Sequence, residues 1–140
     1  MFHHEHFLLR GYPLETVLAE KLTTMLALGD LNTRDRDWAD VWRLTGKHDV
    51  LGRELLAAAK ATASHRRVHL QPLSAVVTRL PQLRQAPYAA WRRTHSNEPD
   101  DYPAVFLDVV NEVIVFADPV LSQTINGQTW RAASRIWRPA

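Results

Sequence analysis

From Pro13 to Leu28, apolar residues recur at helical spacing. Leu14, Val17, Leu18, Leu22, Met25 and Leu26 share one face when successive residues are wound by about 100°. Lys21 falls inside that stripe, seven positions after Leu14 and four before Met25. An unpartnered ammonium is costly to bury. Lys21 therefore either snorkels, stem buried and head in water, or lines a cleft and meets an anion, a carboxylate or a phosphate.

The pattern continues to predict helices. Gly29-Asp30 ends the first, and Asn32-Thr33 supplies a cap for a second, Arg34 to Leu44, that stops at Gly46. Asp49 is positioned to cap a third, Val50 to Ser64, whose alanines favour helix. After an extended His69 to Pro72, two shorter helices are expected, Leu73 to Leu80 and Leu83 to Thr94, interrupted by Pro81 and Pro87. A polar loop, His95 to Asp101, leads to Pro103 and a long apolar segment closed by Asp118-Pro119. Phe106, Val109, Val110, Val113 and Phe116 have helical spacing, but the β-branched content makes a buried strand the competing reading. In the tail, Trp130, Ala133 and Trp137 fall on one face with arginines beside it. His6 to Tyr12 reads as a short strand or an extended lead-in. The expected fold is mainly α: one domain over 1–140, with 46–140 a helical region.

Composition narrows this little. The chain has 140 residues, 46% hydrophobic and 23% charged, the balance of an ordinary single globular domain. It has no cysteine, which excludes disulfides and thiolate metal sites. No apolar run approaches the roughly 20 residues of a membrane span. No basic flank and apolar core mark a signal peptide, so the expected compartment is the cytoplasm. The net charge of +2 is small but clumped. Arg66 and Arg67 sit between His65 and His69, and Arg131, Arg135 and Arg138 accompany Trp130 and Trp137. The latter three are candidate RNA contacts, although solvated faces look the same. His3, His4, Glu5 and His6 match no standard metal spacing, and no metal site is assigned.

The densest chemistry lies in Arg34-Asp35-Arg36-Asp37-Trp38-Ala39-Asp40-Val41-Trp42. Trp38, Val41, Trp42 and Thr45 form its apolar face. Arg36, Asp40 and Arg43 are expected to point away, as exposed ion pairs. Arg34 and Asp37 flank the tryptophan face. A short loop joins this helix to the first, so the two should pack antiparallel, allowing Lys21 to reach Asp37. Lysine, aspartate and arginine in one cleft suit phosphate chemistry: a point charge, a base or metal ligand, and a clamp for oxygens. A buried ion pair that only fixes helix register is an equal alternative.

Two blocks carry a resemblance. Tyr12-Pro13-Leu14-Glu15-Thr16-Val17-Leu18-Ala19-Glu20-Lys21-Leu22 and Asn32-Thr33-Arg34-Asp35-Arg36-Asp37-Trp38-Ala39-Asp40-Val41-Trp42, both within 12–45, resemble the second half of the AbiEii/AbiGii (MenT-like) nucleotidyltransferase toxins. That family shows a YP-x-E-x-x-x-AEKL block followed by an R-x-K-D-x-x-D block, with Arg36 here in the lysine position. The resemblance implies Lys21 as the nucleotide-phosphate lysine and Asp37 as a catalytic aspartate, with Arg34, Arg36 and Asp40 in support. It also implies Mg²⁺ and a nucleoside triphosphate as cofactors, an antitoxin partner, and RNA, specifically the tRNA 3′ end, as acceptor.

The family's upstream glycine turn with an Asp-x-Asp metal pair has no counterpart here. The five glycines never occur as such a pair, and Asp35-x-Asp37 falls in a predicted helix. The expectation is a C-terminal half, a truncated product or one part of a split enzyme. The alternatives are a non-catalytic helical module that binds an antitoxin or RNA, and an inactive remnant.

Overall fold

A computed structural model describes residues 12–95 and 101–139. The lead-in His6 to Gly11 and the set His3, His4, Glu5 and His6 lie outside the described residues; Tyr12 is in a bend. Among the described residues, five helices and a small sheet form one mainly α domain. No described helix is long and apolar enough to cross a membrane.

Helix α1 spans Leu14–Leu28. Pro13 precedes it in extended conformation, and its carbonyl accepts from the amides of Thr16 and Val17. Gly29 ends it at φ +53°, and a Cβ there would lie 3.2 Å from the Val76 carbonyl oxygen. Only glycine takes that conformation without strain. Helix α2, Asp35–Thr45, follows. Asn32 serves its start by accepting the Arg34 amide at 2.6 Å.

Helix α3 is Gly52–Arg66. Asp49 does not cap it. Val50–Leu51 are taken up as strand β1, so the helix begins beyond the reach of Asp49. The Asp49 carboxylate instead accepts from the Ala132 amide at 2.8 Å and from Arg131 at 3.2 Å. Arg67 closes α3 in the left-handed conformation, φ 58°.

Three proline-based boundaries are overturned. Leu73 to Leu80 is not a helix. It holds a single 3₁₀ turn, Leu73–Ala75, and α4 then runs unbroken over Leu80–His95. Pro81 sits in the first turn, where a missing N–H costs nothing. Asp30 takes the amides of Arg79 and Leu80, each at 3.0 Å, and so supplies the start signal. Pro87 removes one helical hydrogen bond, but Tyr88 and Trp91 just beyond it are locked into aromatic contacts, with Phe106 at 4.7 Å and Tyr102 at 5.1 Å. Helix α5, Phe106–Leu121, likewise continues through Pro119. The Asp118 carboxylate does not stop it. It ties down the Leu73 amide at 2.7 Å and the Ser74 hydroxyl at 2.6 Å.

Helix α5 is the spine of the core. Phe106, Val109, Val110, Val113, Phe116, Ala117 and Val120 form one buried stripe, which resolves the helix-or-strand ambiguity in favour of helix. Helices α2 and α4 pack on it, and α1 lies chiefly along α3. Truncating a wholly buried ring such as Phe106 typically costs about 3–5 kcal/mol.

The tail is a hairpin, not a helical face. Strands β2, Thr129–Arg131, and β3, Ile136–Arg138, pair antiparallel, with β1 on the other side of β2. Trp130 and Trp137 are directly opposite each other. Both rings pack on Phe116, at 5.0 and 5.5 Å, while Ala133 lies in the turn.

Candidate functional site

Lys21 projects from the middle of α1, whose stripe is buried on both sides of it at Leu18, Leu22 and Met25. It meets the opening turns of α2. Its Nζ donates to Asp37 Oδ1 at 3.0 Å and to Asp40 Oδ2 at 3.3 Å. The other Asp37 oxygen, Oδ2, accepts from Arg34 Nε at 2.6 Å. The Lys21 side chain retains 16% exposure, Asp37 8% and Asp40 2%, whereas Arg34 keeps 60%. A lysine in an apolar stripe is thus explained by two carboxylates rather than by snorkelling alone.

Asp40 departs from expectation. It does not face solvent, and neither does Arg43, which is half-buried with its guanidinium 5.9 Å from the Tyr102 ring centre; of the three only Arg36 is exposed. Asp40 lies one turn beyond Asp37 on the side of α2 that meets α1, and Arg36 reaches it only at 3.9 Å.

Burial pushes the Asp37 carboxyl upward. Hydrogen bonds from Arg34 and Lys21, with their positive charges, outweigh that and hold it below the usual carboxylate range. The same contact raises the Arg34 guanidinium. Lys21, Arg34 and Arg36 together exceed Asp37 and Asp40 by one positive charge, so the cluster has charge left to attract an anion.

The cluster opens on a cavity of about 540 Å³, lined by Lys21, Arg34 and Asp37 together with Tyr12, Glu20 and Arg66. Arg66 comes from the end of α3, 45 positions after Lys21. Sequence reasoning recorded its charge but not its place, because only the packing of α3 along α1 brings it here.

Asp35 and Asp37, for all their Asp-x-Asp spelling, serve different neighbours. Asp35 takes a two-pronged pair from Arg84, 2.9 and 3.0 Å, that fastens α2 to α4. Both Asp37 oxygens are engaged by cations. Among the described residues no group of three or more histidine, aspartate or glutamate side chains is disposed to hold a metal. This donor set therefore does not fit a divalent ion by itself.

The tail arginines are not part of the cleft. Arg131 pairs with Asp49. Arg135 is folded inward: its guanidinium lies 4.7 Å from the Trp42 ring centre, donates to the Trp42 carbonyl at 2.7 Å and to Thr45 Oγ1 at 3.3 Å, and pairs with Glu112 at 3.2 Å. Burial lowers its pKa. Arg138 is exposed at the end of β3.

No curated protein and no solved structure matches the chain. A family model described as "Nucleotidyl transferase AbiEii toxin, Type IV TA system" matches residues 2–112, a span that contains both the Lys21 and the Asp37 blocks. The chain belongs to the AbiEii family of toxin–antitoxin nucleotidyltransferases.

Proposed function

We propose that the Lys21 cleft is the phosphate-binding part of a site that transfers a nucleotide from a nucleoside triphosphate to an RNA 3′ end, the tRNA acceptor end being the first candidate. The observation that carries this reading is the arrangement of Lys21. Its ammonium is fixed by two carboxylates yet borders a cavity that also receives Arg34. Such a preset cation is suited to the charge of a triphosphate. Arg34, mostly exposed and aligned through Asp37, is placed to clamp phosphate oxygens.

The role assigned to Asp37 is orientation. A general base works best with a pKa near the operating pH. Asp37 is held below the ordinary carboxylate range, and each of its oxygens already accepts from a cation. Asp40 supports Lys21 from the next turn of α2, and Arg36, in the first turn, acts only through Asp40. In the reaction the acceptor 3′-oxygen bonds the α-phosphorus, the bond to the β-phosphate oxygen breaks, and pyrophosphate leaves. The hydroxyl proton passes to solvent. Lys21 and Arg34 stabilise the charge on the departing phosphates. The family's chemistry uses Mg²⁺, for which the described residues offer no complete ligand set. An antitoxin partner follows from the family.

The test is incubation of the 140-residue chain with total tRNA, Mg²⁺ and each labelled nucleoside triphosphate, beside Asp37→Asn and Lys21→Met, with triphosphate affinity measured in parallel. Label entering RNA, and lost in both variants of confirmed fold, supports the full reading. Triphosphate binding that weakens at least tenfold in Lys21→Met, without incorporation, supports the phosphate site and refutes transfer by this chain alone. Equal affinity in wild type and Lys21→Met overturns the proposal.

A further inference from the structure

The blocks around Lys21 and Asp37 do not account for every cation in the cleft. Arg66, the last residue of α3, reaches across α1 and lines the same cavity. Its Nη1 alone lies near four α1 oxygens: the Glu20 carbonyl and Oε1, each at 3.3 Å, Thr23 Oγ1 at 3.1 Å and Thr24 Oγ1 at 2.9 Å. Both threonine hydroxyls donate back to the helix. Thr23 donates to the Ala19 and Glu20 carbonyls, and Thr24 to the Glu20 carbonyl. Their lone pairs are therefore turned toward Arg66.

One guanidinium nitrogen carries two protons, so these four acceptors share them. The remaining donors, on Nε and Nη2, bond to no described residue. The head of Arg66 is thus fixed at one corner while three of its five N–H groups are uncommitted among the described residues. A planar fork anchored in this way has already lost much of its side-chain freedom before any ligand arrives. Its charge is only loosely offset, because Glu20 is half exposed and 3.3 Å away.

We infer that Arg66 is a further phosphate-binding residue of the Lys21 cleft. It is tethered to α1 through Nη1 and clamps a phosphate with Nε and Nη2. This rests on the reading of the cleft as a phosphate site. The phosphate belongs either to the triphosphate or to the backbone of the RNA acceptor, since both present the same oxygens.

Calorimetric titration of the full chain with inorganic tripolyphosphate, and separately with a short oligoribonucleotide, distinguishes these sources. The proteins are wild type, Arg66→Lys, Arg66→Ala and Lys21→Met, each with its thermal midpoint recorded. Arg66→Lys keeps the charge and a donor for the threonines but loses the fork. It is expected to weaken tripolyphosphate binding about tenfold with an unchanged midpoint, as loss of a two-pronged contact does. The same loss confined to the oligoribonucleotide also supports the inference and assigns the phosphate to the acceptor. Wild-type affinity of Arg66→Lys for both ligands overturns it and leaves Arg66 as a strut between α3 and α1, even if Arg66→Ala does not fold. In that case weakened binding by Lys21→Met shows that the phosphate site itself stands. Failure of wild type to bind either ligand overturns both.

Discussion

Two regions of this molecule set basic side chains beside tryptophan-bearing elements, and they use them in opposite ways. At the hairpin, Arg135 lies on Trp42, donates to the Trp42 carbonyl and Thr45, and pairs with Glu112. Arg131 is neutralised by Asp49. In the cleft, Lys21 is also paired, but Arg34 gives one nitrogen to Asp37 and keeps most of its surface in water. Arg66 binds α1 by a single nitrogen. Arg135 engages all three guanidinium nitrogens in holding the hairpin to α2 and α5, while Arg34 and Arg66 each engage one. Composition cannot make that distinction between Arg135 and the cleft arginines. Their N–H groups left over after folding can.

The comparison predicts where stability and binding separate. The largest effect is expected at Lys21. Lys21→Met leaves Asp37 and Asp40 as neighbouring buried carboxylates without their shared ammonium. Loss of one partner from such a cluster costs about 3–5 kcal/mol, and phosphate binding should fall with it. Urea denaturation of the variant measures the first loss. A midpoint equal to that of wild type would show that the carboxylates gain nothing from the lysine. Arg135→Ala should come next, at about 2–3 kcal/mol, for a charge-assisted hydrogen bond and a cation–π contact. Here the affinity of the folded protein for tripolyphosphate or RNA should not change. If RNA affinity drops while stability holds, the hairpin is a nucleic-acid surface and the contrast between the two regions fails.

Much of this is legible without the structure. The stripes of α1, α2 and α5 give their helices away, because each runs for three turns or more and repeats its apolar spacing. The approach of Lys21 to Asp37 follows from one short loop between two helices. What escapes is either too short or too distant. The hairpin strands have three residues each, too few for an alternating pattern to stand out. Asp40 sits on a rim where one helical step decides between solvent and α1, and the local pattern does not fix which side wins. Pro87 and Pro119 read as breaks by their local chemistry, yet aromatic packing in α4 and the apolar stripe of α5 outweigh one lost hydrogen bond. Arg66 joins the cleft only through the packing of α3 on α1, which no local pattern encodes.

The smallest and sharpest prediction concerns acid. Asp37 has a folded-state pKa below its unfolded value, which is about 3.9 for an ordinary aspartate. A carboxylate shifted downward stabilises the fold fully above the unfolded pKa and loses that contribution as pH falls through the folded one. Asp37→Asn removes the titration but preserves the shape and one acceptor oxygen. It should cost about 1–2 kcal/mol at neutral pH, the scale of a charge-assisted hydrogen bond. The gap between wild type and variant should then close as the pH falls below about 4, because a protonated aspartate and the asparagine that replaces it are nearly the same group. Asp30 and Asp49 are shifted the same way, but they are present in both proteins and cancel in the difference. Parallel stability curves from about pH 6 to about pH 2 would mean that Asp37 does not titrate against Lys21 and Arg34, and the orientation role assigned to it would fail. A closing gap would show that Asp37 titrates against Lys21 and Arg34, and that its charge rather than its shape holds the cleft cations in place.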